Sequence, residues 1–278
     1  MTRPKIIANG TLKGGAGKTT LLYNMAGILA EQYRVLVIDL DPQCNFSGAC
    51  GIKQSAYWRQ LIRQQPVSIV PSCRDIFMDG NTLEPESLIV KSPIKPLSNL
   101  DLIPGNILMT AVELSLVNRS AREYVLRNYI EDHMDVFCGY DYILLDTNPS
   151  LGVINQNGFV AADSIIMVSD VGQDGLDGAG NFLYLWGTVC KALRMENNIK
   201  ALILDRCDRR MNLSQQIYEF CKKDPFFKDL IVDSVVHEKV SFKNARLARQ
   251  PINCTKDGVE AAHDVRAVVK ELFERGVF

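Results

Sequence analysis

The run Lys13-Gly14-Gly15-Ala16-Gly17-Lys18-Thr19-Thr20 constrains this chain more than any other stretch. In such a loop, glycines let successive backbone N–H groups curl around an anion, a lysine reaches the outer phosphates, and the next hydroxyl can hold Mg²⁺. Lys18 and Thr19 stand in those two places, and Lys13 is a second lysine five residues before the usual one. The general pattern GxxxxGK[ST] asks for glycine where Leu12 stands, so this loop is the deviant form KGGxGKT. Its flanks suit a phosphate loop. Ile6-Ile7-Ala8-Asn9 reads as a short buried strand, and Thr19 to Ala30, with Leu21, Leu22, Met25, Ile28 and Leu29 at helical spacing, reads as a helix aiming its N-terminus at the anion. Gly14, Gly15, Ala16, Gly17, Lys18, Thr19 and Thr20 are the candidate contacts.

Further apolar, β-branched runs recur at 35–38, 100–103, 142–145, 165–168, 201–204 and 231–236, with helical patterns between most of them. That alternation predicts an α/β fold: a mostly parallel twisted sheet with helices on both faces and ligands at the carboxyl ends of the strands. Residues 64–99, with Pro66, Pro71, Pro85, Pro93 and Pro96, break the rhythm and read as an irregular excursion, so residues 1–278 are expected to form a single domain. The final helix, Asp264 to Glu274, places Val265, Val268, Val269, Leu272 and Phe273 on one side and mixes Arg266 and Lys270 with Glu271 and Glu274 on the other. This is the pattern of a core-packing helix, not of a basic membrane-surface helix.

Composition narrows the classes. No run approaches the roughly 18 apolar residues of a membrane span, and the opening MTRPKII leads into the first strand without an apolar signal region, so a cytoplasmic protein is expected. Eight cysteines lie scattered with no CxxC pair, which fits reduced thiols better than a metal or disulfide framework. Net charge is −1, but residues 200–278 carry 15 Lys and Arg against 12 acids, and 239–250 hold Lys239, Lys243, Arg246 and Arg249 without an acid. Such a run is either a solvated face or a patch for nucleic acid.

Two strands end in acids, where a parallel sheet places catalytic groups. The first leads into Asp39-Leu40-Asp41-Pro42-Gln43, the second into Asp146-Thr147-Asn148-Pro149-Ser150. An acid after a hydrophobic strand beside a phosphate loop holds Mg²⁺, which keeps several waters and needs few protein oxygens. Thr19, Asp39 and Asp146 are the candidates. Asp39 and Asp41 are two apart and would share a side if the strand continued through them, one steadying the Mg²⁺ shell or Lys18 and the other orienting an attacking water.

Together KGGAGKTT, VLVIDLDPQ and YDYILLDTNPS resemble the ParA/MinD group of deviant Walker A P-loop NTPases, most nearly the ParA plasmid and chromosome partition ATPases. NLDLIPGNILMTAVELSLVNRSAREYVLRNYI, AADSIIMVSD and NARLARQPI extend the resemblance over nearly the whole chain. It implies ATP and Mg²⁺ as cofactors and an ATP-induced sandwich homodimer in which the lysine matching Lys13 reaches across to the partner's phosphates. Lys13, Lys18 and Asp41 then form the catalytic set, Asp41 being needed for hydrolysis that is slow without a partner. Non-specific DNA binding by the ATP dimer, nucleoid association, and release by a ParB-like centromere-binding protein are also implied. Arg206 and His237 join the ATP-binding candidates; Arg209, Arg210, Lys239, Lys243, Arg246 and Arg249 are the DNA-binding ones. The loop begins near residue 13, as in short family members without a helix-turn-helix domain, so operator-specific repression by that route is not expected.

Three positions depart from the family: Asn148 in a usual Pro-Pro-Ser, Leu12 where Gln is common, and His237-Glu238 in place of Pro-Arg. The last alters the expected adenine contacts and removes one arginine from the DNA region. A MinD-like membrane switch would need a basic amphipathic tail, and an iron–sulfur relative would need paired cysteines; neither is present in the sequence. A ParA/MinD-like ATPase that positions another cargo or acts as a membrane switch is the alternative.

Overall fold

The structure, a computed structural model, describes residues 2–52, 63, 71–78, 80, 83–208 and 212–278. Six aliphatic runs pair into one all-parallel sheet: β1 (Lys5–Gly10), β2 (Val35–Asp39), β3 (Leu100–Ile103), β4 (Tyr142–Asp146), β5 (Ser164–Asp170) and β6 (Ile199–Asp205). Their spatial order is β3-β2-β4-β1-β5-β6. Parallel pairing needs crossovers, and the crossovers here carry helices that cover both faces, which is why β2 is buried at all five positions.

Alternate strand residues face opposite ways. Ile6, Ala8, Leu36, Ile38, Ile143 and Leu145 enter one core with α3 (Met109–Leu116), α4 (Val125–Asp132), α5 (Val153–Ala161) and α6 (Gln173–Leu193). Ile7, Val35, Val37, Leu144, Ile166 and Ile203 enter the other with α1 (Lys18–Leu29) and α9 (Val259–Glu274). The remaining helices are α2 (Asn45–Ala49), α7 (Asn212–Lys223) and α8 (Val240–Leu247), with single turns at Cys73–Ile76, Pro85–Leu88 and Met134–Phe137.

The first helix lies within a residue of its expected place, whereas α9 begins at Val259, before the expected Asp264. The run 231–236 does not form a full strand. Leu202 and Cys207 make isolated parallel bridges to Ile231 and His237, but between them the N–H groups of Asp233 and Ser234 turn to the Glu271 carboxylate, each 2.8 Å away. A side chain of α9 has taken the donors that the ladder needed. Within the excursion at 64–99, residues 64–70, 79 and 81–82 lie outside the described ones; what is described forms short turns and an antiparallel bridge from Val90 to Leu102. Among the described residues no helix is long and apolar enough to cross a membrane.

Candidate functional site

β1 lies between β4 and β5, so the chain leaves its carboxyl end at the point where the strand order reverses, and the loop 11–17 fills that crevice. Gly15 and Gly17 hold φ of +78° and +88°, a backbone that favours glycine, and Gly17 leads straight into α1. The first N–H groups of α1 have no intrahelical acceptor and open onto a cavity of about 620 Å³. Gly15 to Thr20, Asp41, Asn45, Thr110, Glu113, Asn148, Arg206 and Arg246 line it.

Lys18 is only 6% exposed. Burial pushes its ammonium below the ordinary lysine range, against the Asp146 and Asp41 carboxylates that pull it up. Beneath the loop, Asp146 Oδ1 accepts hydrogen bonds from Asn9 Nδ2 (2.7 Å) and Thr19 Oγ1 (3.2 Å). Asn9 is held in turn by Thr147, whose N–H and hydroxyl donate to the Asn9 side-chain and main-chain oxygens at 2.9 and 2.7 Å. Asp146 Oδ2 is buried with no hydrogen-bond partner. Burial raises this carboxyl despite its donors, and burial also raises Asp39, helped by the nearby Asp146 charge. Three close carboxylates at 39, 41 and 146 outnumber the one buried lysine, an imbalance that a divalent cation would relieve.

The acids do not share that task equally. β2 ends at Asp39, and the Asp41 N–H turns back to Asp39 Oδ1 (3.2 Å). The two side chains therefore do not continue along one strand face as the spacing suggested. Asp39 Oδ2 accepts from the Ser47 N–H (2.9 Å) and hydroxyl (2.6 Å), and that hydroxyl also receives the Gly105 N–H at 2.9 Å. Asp39 thus anchors α2 below the cavity, while Asp41 lines it, its carboxylate accepting the Gln43 N–H at 2.9 Å. Of the three candidates for Mg²⁺, Thr19 and Asp146 are the pair that the fold brings into hydrogen-bond contact. Among the described residues no group of three or more His, Cys, Asp or Glu could hold a metal.

Lys13 does not line the cavity. Its ammonium sits 2.8 and 3.0 Å from the two oxygens of Asp170, at the end of β5, so this lysine has a partner in its own chain.

A smaller cavity of about 250 Å³ shares Thr20, Arg206 and Arg246 with the large one and is lined further by Asp205, His237, Glu238 and Phe242. Arg206 is exposed there. Asp205 packs against Gly17, where an added Cβ would stand 1.6 Å from its oxygen, and burial lifts its carboxyl to about 7. His237 Nδ1 lies 2.9 Å from Asp264 Oδ2 on α9.

The basic run separates in the same way. Lys239 Nζ pairs with Asp264 (3.1 Å) and Glu260 (3.3 Å) and is 15% exposed. It is a strut between the chain before α8 and α9, not a free cation. Burial works to raise Asp264, but the hydrogen bonds from His237 and Lys239 prevail and hold it below the usual range. Lys243, Arg246 and Arg249 are exposed and line a groove of about 760 Å³ against α2, with no acid in its wall. Arg246 Nη2 contacts Asn45 Oδ1 at 3.1 Å and also faces the large cavity. Arg209 and Arg210 lie outside the described residues.

The sequence reading passed over Asn9, Asn45, Glu113, Asp170 and Asp205. Three of them carried a signal: Asn9 is a polar residue in an otherwise apolar strand, and Asp170 and Asp205 are a third and a fourth acid at a strand end.

The profile of the AAA domain matches residues 4–201. The sporulation initiation inhibitor protein Soj of Bacillus subtilis is 32% identical over 249 residues, 89% of this chain and 90% of Soj. The chromosome partitioning protein ParA of Myxococcus xanthus is 27% identical, covering 98% of this chain and 88% of its own length. A variant of McdA from Cyanothece, solved in complex with ATP, superposes with a TM-score of 0.79 at 19% identity over 98% of both chains, which shows a common fold.

Proposed function

Because this chain belongs to the ParA/MinD family of P-loop ATPases, we propose that it is a nucleotide-switched partitioning or positioning ATPase whose cargo is DNA. The observation that carries the reading is the convergence of Lys18, Thr19, Asp146 and Asp41 on one phosphate loop. In this reading Gly14 to Thr20 cradle the triphosphate of ATP and Lys18 offsets its charge. Thr19 and the unpartnered Asp146 oxygen would hold Mg²⁺, which when bound supplies charge compensation for the phosphoryl group. Asp41 orients the attacking water from the cavity wall. Asp39 acts one step back, by fixing α2 and the Asp41 turn. The side cavity takes the base, with Arg206 and His237 at its edge.

Dimerisation follows the family pattern, with Lys13 completing the partner's site. Support comes from α3, whose Thr110 and Glu113 line the cavity while Leu114 is 73% exposed on the same helix, an apolar surface beside the cavity that a second copy would cover. Lys243, Arg246 and Arg249, doubled in the dimer and joined by Arg209 and Arg210, form the surface for duplex DNA of any sequence. Nucleoid association and release by a ParB-like partner complete the cycle.

The test is titration of labelled duplexes of unrelated sequence at several salt concentrations, with ATP and with ADP. Binding should require ATP, and Lys243→Gln or Arg249→Gln should each reduce the slope of log affinity against log salt by about 0.9 for every phosphate no longer neutralised. Lys239→Gln should leave that slope unchanged. Equal binding with both nucleotides would sink the DNA-switch reading.

A further inference from the structure

Lys13 is the residue whose position in this chain is hardest to reconcile with a role in another subunit, because the fold has made a place for it at home. Both Asp170 oxygens lie within hydrogen-bond distance of its ammonium, and the two side chains are 27% and 22% exposed. The contact is built into the start of α6. Asp170 Oδ1 also accepts the Gly172 N–H at 3.3 Å. A Cβ added to Gly175 would stand 2.2 Å from Asp170 Oδ1, and one added to Gly178 would stand 3.2 Å from the Lys13 Cβ. Gly175 and Gly178, three apart, share one face of the first turns of α6, and Gly172 stands just before them, so the three leave a trough there. The aspartate lies against its floor, with the lysine laid alongside.

We propose that Asp170 is a positioning residue that parks Lys13 on its own subunit, so that the dimer forms only when the partner's triphosphate outcompetes this carboxylate for the ammonium. The proposal rests on the ATP-dependent dimer described above and adds what opposes it. A single carboxylate offers the lysine one negative charge, and a triphosphate offers several. The exchange therefore favours the dimer most when the γ-phosphate is present, and Asp170 sharpens the distinction between ATP and ADP at the cost of raising the ATP needed. Because the pair is partly solvated, its contribution is modest, as a reversible latch requires.

Asp170→Asn tests this. The amide oxygen can still accept from Gly172 N–H, and the size is nearly unchanged, so the start of α6 is kept while the charge is removed. Two measurements separate the latch from the dimer. In the nucleotide-free chain, reductive methylation followed by peptide mass mapping should modify Lys13 slowly in wild type and about three- to tenfold faster in Asp170→Asn, the rate reporting how often the lysine leaves its partner. Equal rates would overturn the latch whatever the oligomeric state. In light scattering across an ATP titration, Asp170→Asn should reach half-maximal dimer at about three- to tenfold lower ATP than wild type, and Lys13→Gln and the double variant should both remain monomeric. If wild type dimerises with ATP while Asp170→Asn needs the same ATP or more, the latch is wrong and the dimer reading stands. If wild type ignores ATP altogether, the dimer reading fails and takes this proposal with it.

Discussion

At the phosphate end of the cavity, residues 11–20, Asn9 and Asp146 come from a loop and two strands that are already neighbours in the sheet, and buried hydrogen bonds lock them at 0–6% exposure where it matters most. At the other end, residues 205–206, 237–239 and 242–249 meet because α9 offers Asp264 and Glu271 to a strand that would otherwise have run on. The first region is held by the sheet itself. The second is held by side chains of α9 that reach a broken edge, the Lys239 and Asp264 side chains of its main ion pair being 15% and 7% exposed. The rigid end is thus a fixed frame, whereas the second end rests on contacts between side chains of separate segments, His237 to Asp264 among them.

The contrast can be broken most directly at Lys18. Lys18→Ala leaves the Asp41 and Asp146 carboxylates beside the triphosphate without their cation, so ATP affinity in isothermal titration should fall by more than about 100-fold. A variant that binds ATP as wild type does would show that the phosphates lie elsewhere.

A second pair of substitutions separates anchoring from chemistry within the rigid end. Asp39→Ala removes the acceptor of the Ser47 N–H and hydroxyl and of the Asp41 N–H, and should lower unfolding stability by about 2–4 kcal/mol. In contrast, Asp41→Ala loses one local turn bond, the Gln43 N–H to its carboxylate. Its melting temperature should stay within about 2 °C of wild type, while single-turnover hydrolysis drops about 100-fold and ATP binding is kept. Equal loss of stability in both variants would erase the distinction drawn between the two acids.

The gentlest test uses pH and Asp205, where the two regions touch. Burial raises this carboxyl to about 7, so between its unfolded value near 4 and 7 the folded chain binds the proton more tightly than the unfolded one. Stability contributed by protonated Asp205 is therefore present at acid pH and lost as pH rises through that window, with a slope near 1.4 kcal/mol per pH unit. Asp39 and Asp146, raised in the same direction, add to the same sign. Urea unfolding at pH 5 and 6.5 should show Asp205→Asn flattening this dependence by about 1–2 kcal/mol. No change in slope would mean that Asp205 is not the buried acid that packing on Gly17 makes it.

Much of the rigid end was legible because its determinants are local. A glycine run between an apolar strand and a helix of period 3.6 has few other foldings, and an acid closing a buried strand has nowhere to point but the carboxyl edge. The same rule misplaced Asp39, since a strand's end is set by what its last side chain can bond to, and Ser47 stands eight residues on. It also let Lys239 pass as one of four equal cations, because a linear run of charges says nothing of Asp264 waiting on another helix.

What the sequence by itself determined is the covering of a parallel sheet by helices, the phosphate loop with Lys18 and Thr19, and Asp146 as the acid beneath it. Each follows from period and spacing over a dozen residues or fewer. Tertiary structure alone decided which of the remaining polar groups are free: Asp41 to face the cavity and Asp39 to be bound, Lys243 to face water and Lys239 to be paired, Lys13 to lie on Asp170 rather than over a phosphate. Those choices depend on contacts across 8 to 157 positions of chain, where burial and the nearest partner, not residue type, set what a side chain can do.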